Sequence, residues 1–113
     1  MSAKLGSHEK FVVDQLKHPE FAAEYLNEHW NYRGPKRMEL LMQALHRVAL
    51  ARGITRVSRE SGISRRALHK IFSEDGNPTA ETLVAILDTF RVGIYFEPIP
   101  PRKRAKAKQD EAA

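Results

Sequence analysis

The chain has 113 residues, 42% of them hydrophobic, with 19 Lys and Arg against 14 Asp and Glu and no cysteine. That is enough for one domain with a modest core and too little for two comfortable ones. It excludes a disulfide framework and thiolate chemistry; with no apolar run near the roughly 18 residues of a membrane span and no signal-peptide hydrophobic region, a soluble, cytoplasmic protein is expected.

The elements read as helical almost throughout. Phe11, Val12 and Leu16 indicate a short first helix that stops before Pro19. "PEFAAEYLNEHW" places Pro19 at a first helical position and Glu20 in the first turn, where the helix dipole favours it. Its apolar stripe is Phe21, Ala22, Tyr25 and Leu26, extending to Trp30. After the break at "RGP" a longer helix is predicted over 36–52, with Met38, Leu41, Leu45, Val48 and Ala49 on one face and Gly53 placed to end it. Short helices follow over 56–61 and from Arg65 to about Ser73, then a turn at "EDGNP". Thr79 is placed to cap a last helix with the stripe Leu83, Ile86, Leu87 and Phe90. Only "GIYFEPI", 93–99, reads as strand, with β-branched and aromatic residues bounded by Gly93 and Pro98. The tail beyond it has no large apolar residue and is expected to be disordered.

Charge is segregated along the chain. Residues 1–32 hold 3 Lys and Arg against 5 Asp and Glu, residues 33–73 hold 10 against 2, residues 74–100 hold 1 against 5, and residues 101–113 hold 5 against 2. A basic block between two acidic ones is what a polyanion-binding surface requires. The block ends in "GISRRALHKIF", whose two faces separate cleanly. At 100° per residue, Arg65, Arg66, His69, Lys70 and Ser73 share one arc, and Ala67, Leu68, Ile71 and Phe72 share the opposite one. The plain alternative is a solvated basic helix in an ordinary bundle.

The surroundings of Gly62 weigh against that alternative. Val57 and Leu68 are apolar where two packed helices must touch, Ser58 is small where they approach, Gly62 permits a left-handed turn, and Ser64 is placed to cap the second helix. The pattern resembles a helix-turn-helix of the Xre/Cro class, in which the second helix enters the DNA major groove. Within that class, "YLNE" followed by "ARGITRVSRESGISRRALHKIFSEDGNPTAETLVAIL" is similar to the addiction-module antidote branch, the HigA-like antitoxins, over residues about 21–97. The sequence departs from the wider class in three places. The helix before Gly62 looks about two residues short, Arg56 follows Thr55 where Gln is common, and Ser58 stands in place of Ala.

The resemblance implies a dimeric DNA-binding protein that represses its own operon and neutralises a RelE/HigB-like mRNA-cleaving toxin. A stand-alone Xre-type regulator without a toxin is the alternative, and a structural adaptor is a third class that would lack salt-sensitive DNA binding. The expected architecture is an all-α bundle: an acidic helical extension over 1–33 packed on it, the helix-turn-helix domain over 34–92, a dimerisation strand over 93–99 and a basic tail over 100–113. The candidate DNA-binding residues are Thr55, Arg56, Ser64, Arg65, Arg66, His69, Lys70, Ser73 and Asn77. Arginine reads guanine edges by a two-pronged hydrogen bond, and a capped helix start offers backbone donors to phosphate.

A lone strand leaves its own donors and acceptors unpaired, so Ile94, Tyr95 and Phe96 are assigned to antiparallel pairing across a homodimer. In that arrangement Ile94 and Phe96 cover the helix bearing Leu87 and Phe90. Glu20, Glu24 and Glu28 form an acidic stripe at helical spacing; with the aromatic Tyr25 and Trp30 they are candidate toxin contacts, although most such stripes are merely solvated. The five histidines show no spaced ligand pair, and no phosphate loop or nucleophile context occurs, so neither a metal, a cofactor nor enzymatic activity is expected.

Overall fold

The computed structural model describes residues 7–101. It contains six helices: α1 (Ser7–Gln15), α2 (Pro19–Asn31), α3 (Arg37–Arg52), α4 (Ile54–Ser61), α5 (Arg65–Ile71) and α6 (Ala80–Phe90). The all-helical expectation holds for this span, and the expected disordered tail lies outside it from residue 102 onward.

Helix α3 is the spine. It packs against α1, α2, α4 and α6, while α5 packs on α4. One continuous core joins the acidic N-terminal segment to the rest: Leu16, Ala22 and Leu26 are buried with Leu41, Leu45 and Val48 of α3, Val57 of α4, Leu68 of α5, and Ile86 and Phe90 of α6. Most of these helices are too short to be stable alone in water, and shared burial of apolar faces, roughly 1.5–3 kcal/mol per large side chain, holds them in place.

The boundaries follow local chemistry. Pro19 opens α2 at its first position, and Gly53, with φ of 97°, separates α3 from α4 after its N–H bonds back to Ala49. Thr79 Oγ1 accepts from the Thr82 N–H at 3.1 Å and caps α6. Helix α4 begins at Ile54, two residues before the predicted start, because Gly53 lets the chain turn and re-enter a helix at once.

Three residues expected on apolar faces lie outside the core. Phe11 is 60% exposed, Met38 55% and Trp30 46%. Periodicity identifies the face of a helix, but a side chain on that face is buried only where another element runs over it.

The strand expected over 93–99 is not seen in the single chain. The last backbone bond of the bundle runs from Val92 N to Leu87 O, and the chain then continues without regular hydrogen bonding to Pro101. β-propensity in "GIYFEPI" has no second strand to pair with in one chain, and Pro98, Pro100 and Pro101 have no amide to donate. Phe96, expected to cover α6, is instead 92% exposed, and Tyr95 is 81% exposed.

Candidate nucleic-acid interface

Helices α4 and α5 are joined by a three-residue turn, Gly62–Ser64. Gly62 sits at φ of 77°, the left-handed conformation that closes α4, and its N–H bonds to the Ser58 carbonyl at 3.0 Å. The Ser58 hydroxyl reaches across the turn and donates to the Ile63 carbonyl at 2.6 Å. The serine where alanine is common is therefore a turn clamp. The Ile63 N–H is in turn accepted by Ser61 Oγ at 3.2 Å, so both backbone groups of Ile63 find partners in the serines of α4.

Ser64 starts α5 as predicted, with extended backbone and its Oγ accepting from the Ala67 N–H at 3.0 Å. The helix then spans seven residues, about 10 Å. It ends at Ile71, two residues short of the predicted end, because Phe72 folds into the core as its C-terminal cap. Leu68 is wholly buried, Phe72 is 6% exposed, and Ala67 and Ile71 are half-buried. Arg65, Arg66, His69, Lys70 and Ser73 are all exposed. The division of faces read from the sequence is the division the fold makes.

The basic residues are not spent on the protein itself. Among the described residues, the side chains of Arg65, Arg66 and Lys70 make no ion pair and no hydrogen bond. The ion pairs of the basic block lie elsewhere, Arg56 with Glu60 at 3.1 Å and Arg47 with Glu9 at 3.8 Å. Arg56, a candidate DNA contact, therefore begins from a bond to its own helix. Ser73 likewise donates its hydroxyl to the Lys70 carbonyl at 2.7 Å. Thr55 and Asn77 are exposed at the start of α4 and in the loop after α5.

That loop is tightly built. Gly76 N–H bonds to the Ser73 carbonyl at 2.9 Å, and a Cβ at position 76 would collide with the carbonyl of Ile71. A glycine is required where the chain folds back over the end of α5.

His46, one of the five histidines without a spaced ligand partner, is half-buried beside α5. Its ring stacks on Phe72 with centroids 5.1 Å apart and planes 16° apart. Burial, then the nearby His69, then Arg47 hold it below the ordinary histidine value of 6.5. His46 is thus a neutral pad beneath the end of α5, and the only hint of it in the sequence was its place among the apolar positions of α3.

The proposed toxin-contact residues sit apart from this face. Glu20, Glu24 and Glu28 are exposed on α2, while Tyr25 is half-buried and meets the His29 ring at a tilt of 56°, with centroids 4.6 Å apart. Trp30 is 46% exposed, with the Arg37 guanidinium 3.9 Å above its ring and Arg37 Nε donating to the Trp30 carbonyl at 3.0 Å. These two contacts tie the end of α2 to the start of α3.

The model of a family described as "probable addiction module antidote protein" matches residues 7–98, which takes in all six helices. The chain belongs to this family. A protein of Haemophilus influenzae (strain Rd), described as uncharacterized, is 36% identical over 76 residues, 67% of this chain and 75% of that one. No solved structure matches the chain. The antidote family's match includes the acidic N-terminal helices and runs on through Pro98. Membership of an antidote family implies a toxin partner in general. No helix among the described residues is long and apolar enough to cross a membrane.

Proposed function

We propose that the chain is the DNA-binding antitoxin of a type II toxin–antitoxin pair, of the HigA-like, Xre/Cro helix-turn-helix kind. In this reading it acts in the cytoplasm as a homodimer, represses its own operon and neutralises a RelE/HigB-like toxin. The observation that carries the DNA half is α5: a capped helix of about 10 Å, matched to a major groove about 12 Å wide, whose exposed arginines and lysine have no partner among the described residues. The antidote family supports the toxin half, and the exposed acidic stripe of α2 suits a basic, RNA-directed toxin. Arg65 and Arg66 lie at the helix start, which is the end that reaches base edges in this class of reader. No catalytic step and no cofactor enters this reading.

The test is the operator affinity of the double variant R65A/R66A. Each lost base contact is expected to cost about 1–3 kcal/mol, while far-UV circular dichroism stays unchanged because neither side chain is part of the core. For about eight neutralised phosphates, log K is expected to fall with log salt at a slope near −7. Binding indifferent to both the substitutions and the salt would remove α5 from the interface.

A further inference from the structure

Between α2, α3 and α6 lies an apolar groove of about 370 Å³, walled by Leu26, Asn27 and Trp30 on one side and Leu83 and Leu87 on the other, with Leu45 at its floor. Its lip is formed by Ile94 and Tyr95 of the chain's own C-terminal segment. Immediately past that lip, Phe96 and Ile99 project 92% and 61% exposed. The molecule therefore presents an apolar groove and, beside it, an apolar segment that nothing among the described residues covers.

We infer that the groove receives the C-terminal segment of a second copy of the chain, and that the exchange is reciprocal. It rests on the homodimer reading above and replaces strand pairing with insertion: Phe96 and Ile99 of each copy enter the other's groove. Three observations select this occupant. First, the segment leaves the body at the groove's edge, so a two-fold axis near Tyr95 brings the two grooves and the two segments together; Tyr95 to Ile99 spans about 13 Å when extended.

Second, charge matches. The helices that wall the groove carry exposed acids, Glu20 and Glu24 on α2 and Asp88 on α6, and the sequence directly after Ile99 is "PPRKRAKAK". A basic toxin satisfies the acids but gives the exposed Phe96 and Ile99 no groove. Third, area suffices. Tyr95 and Phe96 each bury on the order of 150–250 Å². With Ile94, Ile99 and Trp30, all exposed here, a two-fold exchange approaches the roughly 800 Å² per partner of a stable complex.

The chain contains no cysteine, so engineered thiols report without interference. Light scattering on the full chain is expected to show a dimer, with self-association weakened at least tenfold by F96S, which removes the anchor, and by N27W, which plugs the groove from an exposed helical position. Circular dichroism should be the same for all three. Under mild oxidation, an equimolar mixture of the single variants F96C and N27C is expected to give a disulfide-linked pair, while either alone gives none. A monomeric wild type overturns the inference, as does a dimer indifferent to F96S. Self-linking of F96C alone, the mark of paired strands, overturns it too. So does an intrachain link in dilute N27C/F96C, which would place the segment in its own groove. Operator binding is scored separately: a monomer that still binds DNA ends this inference and the homodimer part of the proposed function, and leaves its DNA-binding part standing.

Discussion

Replacing Ser64 tests whether the cap of α5 holds the reading residues in place. The hydroxyl accepts one bond, from Ala67 N–H at 3.0 Å, and shields one of the donors that a helix start cannot satisfy internally. Removing such a cap costs about 0.5–2 kcal/mol, set against the roughly 5–15 kcal/mol of a small domain. S64A is therefore expected to remain folded, with a lower urea midpoint and unchanged slope. The same energy corresponds to about a 2- to 30-fold loss of order in the first turn, the turn that carries Arg65 and Arg66. Operator affinity should fall by up to that factor although no charge is lost. S64T keeps an acceptor and should restore both quantities. S64D keeps the acceptor and suits the helix dipole, so stability should return while the new negative charge still weakens DNA binding. The measurements are urea unfolding and fluorescence-detected DNA titration in one buffer. If S64A matches the wild type in both, or S64T is as damaging as S64A, the cap does not organise this helix.

Two further outcomes follow from the packing around α5. G76A is expected to destabilise the fold and lower DNA affinity together, because its methyl group must displace the Ile71 carbonyl at the end of α5; a variant with an unchanged thermal midpoint would contradict the close approach. His46 is held below the ordinary value of 6.5, so it stays neutral in the fold where the unfolded chain takes up a proton. Its contribution to stability is complete above about pH 6.5 and declines as pH falls through that value toward the lowered one; H46Q should flatten this part of the stability curve, and an identical pH dependence in both proteins would show that His46 does not titrate differently on folding.

The helices were legible in the sequence because each carries its own signals within a few residues. Pro19, Gly53, Ser64 and Thr79 mark ends through fixed dihedrals or a single hydroxyl, and the two arcs of α5 follow from a 100° step and side-chain type alone. That the chain belongs to an addiction-module antidote family was legible for the same reason, since it rests on local runs. Whatever depended on a second element was not legible. Phe11 and Met38 lie on apolar stripes yet stay in water because no neighbour covers them, and "GIYFEP" has the composition of a strand but no ladder to join. Arg56 looked free until the helix brought Glu60 one turn away to meet it. The sequence alone thus determined where the chain bends, which faces are apolar and where positive charge collects. Only the tertiary structure decided which of those faces are covered, that His46 lies under α5, and that α2, α3 and α6 leave a groove beside an uncovered segment, because burial is a property of pairs of elements and a sequence lists them one at a time.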